Sequence, residues 1–166
     1  NFFSGGLFLT PRNLWNLSVQ TASVAVMVTG MVLVIVTRNI DLSVGSMAAF
    51  LAGAMILFMN AVQGGGVSPV GVVPLGVGLV LVGGLAAGAA NGIAITRGRI
   101  EAFIVTLGTL GIFRSLVTYL ADGGTISLDF ALRGVYRPVF YGYFLGVPIP
   151  VWVFAAVALV GAVVLH

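Results

Sequence analysis

An all-α, polytopic transmembrane helix bundle is the fold class this sequence predicts, and three observations predict it. Hydrophobic residues make up 60% of the chain and charged residues only 7%, where a soluble domain carries about 25% charged residues. The mean hydropathy is +1.19. The apolar residues fall into five runs, each near the length of about 20 residues that a helix needs to cross a hydrocarbon core. Each run is apolar on all faces, unlike the alternating strands of a membrane barrel.

The five spans are expected at 17–37, 42–62, 70–96, 103–121 and 145–165. Thr10-Pro11 reads as an N-cap followed by proline at the first helical position, so the first helix is expected to start at Pro11, ahead of its apolar run. Arg38-Asn39-Ile40-Asp41 is a very short link, Gln63 to Pro69 a glycine-rich turn, and Arg97 to Glu101 a tight charged turn. The stretch 122–144 is the one long connection, and it is rich in aromatics. No separate soluble domain is visible, so residues 1–166 are expected to form one partial transmembrane domain. No cleavable signal peptide is visible, and both ends look cut, the last one in mid-helix pattern, so a piece of a longer protein is expected.

Charge and chemistry exclude several classes. All seven cations are arginines, the net charge is +3, and the isoelectric point is near 10.0. The arginines are scattered among apolar runs with no basic stripe, so nucleic acid is not an expected partner. The chain has no cysteine, which removes disulfides and thiolate chemistry. The single histidine, His166, leaves no histidine pair for a metal. The four acids, Asp41, Glu101, Asp122 and Asp129, give no close pair within a span, and no Walker-type phosphate loop occurs. No catalytic constellation, resident cofactor or metal is therefore expected: the chain does not read as an enzyme, and if it moves solute uphill, the energy comes from elsewhere.

Polar groups inside or beside spans stand out against this background. Asp41, in Asp41-Leu42-Ser43-Val44-Gly45-Ser46, is expensive beside a span unless its oxygens are satisfied. It is placed to cap the second helix by accepting from the backbone N–H groups near Ser43 and Val44, and a role in a pathway or gate is compatible with that. Arg114 lies within the fourth span, roughly 10 Å short of its far end at 1.5 Å per residue. It reads either as a functional group or as a snorkelling side chain with Asp122 as a possible partner. Asn91 is placed to bond across helices or to touch solute. Gly84, Gly88 and Gly92, like Gly45, Ala49 and Gly53, recur every fourth residue, and Gly108 and Gly111 lie near one face of the fourth span, the spacing of close helix packing.

Four stretches carry a resemblance. They are Gly30 to Ile35 running into Asn39-Ile40-Asp41-Leu42-Ser43-Val44-Gly45-Ser46; Gly88-Ala89-Ala90-Asn91-Gly92; Phe103-Ile104-Val105-Thr106-Leu107-Gly108-Thr109-Leu110 with Arg114; and Leu145-Gly146-Val147-Pro148-Ile149-Pro150-Val151-Trp152. Together they resemble the permease subunits of ribose- and xylose-type monosaccharide ABC importers, along essentially the whole chain. One departure is Asn39, where the family usually has glycine; asparagine tolerates a left-handed turn nearly as well.

The resemblance implies a translocation subunit in a bacterial inner (plasma) membrane, used as a pair with a second permease copy. It implies cytoplasmic ATPase subunits, an extracytoplasmic sugar-binding protein and surrounding lipid as partners. On that reading Asp41, Ser43, Asn91, Thr106 and Arg114 are the candidates for lining or gating the pathway. Charge counting alone ties, with Arg38, Arg97 and Arg99 on one side and Arg12, Arg133 and Arg137 on the other. The close pair Arg97 and Arg99 favours the cytoplasm for its side, and the resemblance places Arg38, Arg97, Arg99 and His166 there and 122–144 outside. In that outer connection Asp129, Arg133 and Arg137 recur at helical spacing, Gly134 and Pro138 shorten or break any helix, and Tyr136, Phe140, Tyr141, Tyr143 and Phe144 suit a membrane interface. Arg133 and Arg137 are candidates either for lipid phosphates or for docking the binding protein. An ion-coupled secondary transporter or channel is the alternative class, with Asp41 as its one acid near a span start.

Overall fold

The computed structural model describes residues 6–165; His166 and its expected cytoplasmic placement lie outside them. Six α-helices account for most of the described chain: α1 Pro11–Val36, α2 Val44–Gly64, α3 Pro69–Thr96, α4 Ala102–Leu120, α5 Phe130–Tyr141 and α6 Ile149–Leu165. A two-residue hairpin, β1 Tyr143–Phe144 and β2 Val147–Pro148, pairs antiparallel just ahead of α6. Helices α1 to α4 are long and apolar enough to cross a membrane. Helix α6 is a shorter apolar helix of 17 residues, about 25 Å at 1.5 Å per residue and within the range for a span. The expected all-α membrane bundle is therefore what the chain forms.

The punctuation of the sequence sets the helix ends. Proline stands at the first position of both α1 and α3, where its missing N–H costs nothing. Helix α1 begins at Pro11, six residues before the apolar run that announced it. Helix α6 starts later than the apolar run at 145, because Leu145 and Gly146 adopt positive φ, 51° and 75°, to turn the hairpin. The left-handed residue in the link after α1 is Arg38, φ 61°, and not Asn39. The tolerance of asparagine for a left-handed turn is therefore not called on at Asn39.

The described chain divides into two compact units, one running to Thr37 and resuming at Arg137, the other spanning Arg38–Tyr136. In the first, α1 packs along α6, with Gly161 of α6 buried and close to Thr29 of α1: a methyl added at Gly161 would sit 3.1 Å from Thr29 Cγ2. Trp15 stacks on Tyr143 at 3.8 Å between centroids. The Trp152 indole N–H donates to the Phe144 carbonyl at 3.1 Å, fixing the hairpin to the start of α6.

In the second unit α2 packs along both α3 and α4. The glycines at which α2 and α3 leave least room are Gly76 and Gly83; of the stripe at 84, 88 and 92, only Gly84 touches α2, with a Cβ there 3.7 Å from Leu51. A Cβ at Gly76 would stand 2.7 Å from Met59, and one at Gly83 would stand 2.9 Å from Leu51, while Gly88 and Gly92 face open space. At one end of this unit Met59, Val72 and Leu132 form a buried apolar cluster. Full burial of a side chain like Leu132 contributes about 2 kcal/mol. Asn60 completes that end: its amide N–H donates to the Ser127 carbonyl and its oxygen accepts from the Asp129 N–H, both at 2.9 Å.

Candidate functional site

The opposite end of the second unit holds a buried polar chain. Residues 39–43 form no regular structure before α2, and Ser43 stands at the N-cap of α2. The Ser43 backbone N–H donates to Asp41 Oδ1 at 2.8 Å, and the Ser43 hydroxyl donates to the same oxygen at 2.6 Å. The Asn91 amide, from the last turns of α3, donates to that hydroxyl at 3.1 Å. Ser43 and Asn91 are buried, and Asp41 is half-buried. Thr106 of α4, also buried, donates to the Ala102 carbonyl of its own helix at 2.8 Å and faces the Ile40 carbonyl at 3.4 Å. Four of the five expected pathway residues, Asp41, Ser43, Asn91 and Thr106, thus surround one short link.

The local geometry departs from simple capping. Asp41 closes a turn onto the residue two ahead, one step upstream of the helix, and does not accept from Val44. Ser43 is the cap by position, but its hydroxyl is spent on Asp41 and Asn91 in place of the helix N–H groups. Its two roles, donor to one neighbour and acceptor from the other, use what a hydroxyl offers. Among the described residues no buried side-chain nitrogen or oxygen lacks a partner. A saturated chain of this kind holds three helices in register and leaves little free capacity to bind a solute.

Arg114, the fifth candidate, sits apart. It is exposed on α4 and lines two adjoining depressions. One, of about 310 Å³, lies between α2 and α4 against Leu42, Gly45, Ser46, Ala49, Leu110 and Val117. The other, of about 450 Å³, runs to the end of α4 past Ser115, Thr118, Tyr119, Asp122 and Gly123. Asp122 shares that depression with Arg114 but makes no ion pair with it.

The docking candidates lie on α5. Asp129 precedes the helix and accepts from the Ala131 N–H at 2.8 Å, so it does not extend the arginine face. Arg133 is partly engaged: its Nε donates to the Leu128 carbonyl at 3.2 Å, and its guanidinium lies 5.9 Å from the Phe130 ring centre. Arg137 is exposed. Pro138 is accommodated inside α5, near its end. Asn60 had no signal in the sequence: a single asparagine late in an apolar run looks the same whether it pins a distant loop or faces water.

Comparison with known proteins follows the same lines. A family model described as "Branched-chain amino acid transport system / permease component" matches residues 13–166. The ribose import permease protein RbsC of Escherichia coli strain K12 is 36% identical over 166 aligned residues, covering 96% of this chain and 47% of that protein. RbsC of Bacillus subtilis strain 168 is 36% identical over 143 residues, covering 86% of this chain and 42% of its own length. The xylose transport system permease protein XylH of Escherichia coli strain K12 is 34% identical over 145 residues, covering 85% of this chain and 35% of its own. The chain thus spans about half the length of the curated relatives it matches, or somewhat less. No solved structure matches it.

Proposed function

The chain belongs to the branched-chain amino acid transport system permease family, and from that membership we propose that it forms part of the translocation subunit of an ATP-driven importer for a monosaccharide such as ribose or xylose. The observation that carries this reading is the 36% identity to a ribose import permease across 96% of the chain. Four helices able to cross a membrane support it, as does a sequence in which polar groups inside the spans are few. The reaction is transport, with no bond made or broken in the solute. On this reading a separate cytoplasmic ATPase supplies the energy, and residues 1–166 themselves carry no lysine for a phosphate-binding loop. A soluble binding protein delivers the sugar from outside, and a second permease copy completes the path in the bacterial inner membrane.

Within this reading Asp41, Ser43, Asn91 and Thr106 shape the pathway by holding the link before α2, while Arg114 faces it. Arg133 and Arg137 are the docking candidates for the binding protein. Each tested alone as Arg133→Glu or Arg137→Glu at limiting binding protein is expected to slow uptake more at low salt than at high salt, because exposed charges mainly steer encounter. Equal uptake at every salt concentration leaves that residue no docking role.

The function itself is tested by expressing the full-length protein, with its own ATPase and binding protein, in a bacterium lacking ribose and xylose permeases. Uptake of at least one labelled pentose above the empty vector is expected. No uptake of either sugar by correctly inserted protein overturns the reading.

A further inference from the structure

Within the second unit α2 is tied to its neighbours along most of its length. Leu51, Met55 and Met59 recur every fourth residue and so share one face. That face meets α3: a Cβ at Gly83 would stand 2.9 Å from Leu51, and one at Gly76 would stand 2.7 Å from Met59 and 3.2 Å from Met55. Another side of α2 holds the segment 126–132. Gly53 is buried beneath Ile126, whose Cδ1 would stand 2.9 Å from a Cβ there. Asn60 bonds the backbone of Ser127 and of Asp129, and Leu132 is fully buried beside Met59 and Val72. With Asn91 on Ser43 at the other end, the ties run from Ser43 to Asn60, about 25 Å of helix at 1.5 Å per residue. All of them are made within the chain, whatever covers its outer faces.

We propose that α2, α3 and the segment 126–132 keep these contacts through the whole transport cycle and move as one body. The rearrangements of the cycle then occur at other contacts, and 126–132 is a fixed strap on α2 in place of a swinging gate. A side chain seated over a glycine does not slide freely. Shifting α2 along α3 by one turn, about 5.4 Å, would carry Met59 from Gly76 to Val72 or Val80, four residues to either side, where branched side chains take up the room. Packed contacts of this kind hold discrete arrangements and do not deform smoothly. Parting α3 from the start of α2 separates Ser43 from Asn91, both buried, and a buried polar group left alone costs more than its bond contributed. Parting α2 from the strap breaks both Asn60 bonds and the burial of Leu132 together, because all three lie on one short segment. That there is a transport cycle rests on the function proposed above; the packing does not.

The test uses the full-length permease, otherwise free of cysteine, assembled with its ATPase and binding protein in proteoliposomes. Two cysteine pairs bridge the two sides of α2: Met59→Cys with Gly76→Cys, and Gly53→Cys with Ile126→Cys. In each pair the glycine gains a side chain where its neighbour is shortened, and the two stand within the reach of a disulfide. Each pair is expected to bridge under mild oxidant to the same extent with and without ATP. The bridged importer is expected to transport labelled pentose with no loss against the same sample kept reduced. Transport that stops on bridging and returns with reductant overturns the single body, and so does bridging that falls when ATP is present. Assembled protein that does not bridge lacks the contact and overturns it as well. If one pair prevents assembly, the other decides: equal transport in its bridged and reduced forms sustains the body, and a reversible block overturns it. An unmodified importer that carries no pentose overturns the proposed function instead, and bridging with and without ATP still decides whether α2, α3 and the strap stay together.

Discussion

Asn91 donates to Ser43 and Ser43 to Asp41, and each member of this chain is asked for something different. Asp41 supplies one acceptor oxygen, Oδ1, which takes both bonds from Ser43. Asparagine offers the same oxygen, so Asp41→Asn is expected to keep normal membrane levels and most of the uptake of the full-length protein. Asn91→Leu removes the donor, leaves the Ser43 hydroxyl short of a partner in a buried site, and is expected to cost about 1–3 kcal/mol. Thermal denaturation of the detergent-solubilised protein measures the second effect. Loss of uptake by a well-inserted Asp41→Asn protein gives the charge itself a part in transport and contradicts the positional role. Asp41 and Asn91 were legible as candidates because a polar residue at membrane depth is conspicuous. Their connection was not, since 48 residues separate Ser43 from Asn91 and only the packing of α2 on α3 brings them together.

At the scale of elements, α2, α3 and α4 begin and end close to the apolar runs at 42–62, 70–96 and 103–121, while α1 and α6 start away from theirs. The exceptions have physical causes. Helix α6 yields its first residues to a hairpin turned by Leu145 and Gly146. Helix α5 is hidden because its period is masked by aromatics and by Pro138, and it is held by Leu132 in the Met59 cluster and by the Asn60 clamp on the preceding residues. In the stripe at 84, 88 and 92, a Cβ at Gly84 would make ordinary contact with Leu51 of α2, while one at Gly88 or Gly92 would meet no neighbour among the described residues. Gly76 is where α2 and α3 leave the least room: a Cβ there would stand 2.7 Å from Met59. Gly76→Ala is expected to destabilise by about 1–3 kcal/mol, the usual cost of overpacking. The cost is expected to shrink when Met59→Val is made in the same protein. Additive losses in that double-mutant cycle contradict the contact.

At the scale of the whole molecule, α2 carries a polar latch at one end and an apolar clamp at the other, and α3 and α4 return the chain between those ends. The loop 97–101 therefore shares an end with the Asp41 link, and the close pair Arg97 and Arg99 leads us to expect that end in the cytoplasm. Gly98 is a poor reporter of this, because a side chain there meets the Ala94 carbonyl. Ile100 is exposed, and Ile100→Cys in otherwise cysteine-free full-length protein is expected to resist an impermeant thiol reagent in intact cells and to react once the cells are opened. Ready labelling in intact cells reverses the orientation. The central claim, that this chain helps form a sugar path driven by a separate ATPase, is tested most directly by energising the full-length permease in proteoliposomes with its ATPase and binding protein. Labelled pentose should accumulate only with ATP on the ATPase side, and accumulation should survive a protonophore that collapses the proton gradient. Accumulation that proceeds without ATP and disappears with the protonophore would contradict the account and make the protein an ion-coupled carrier.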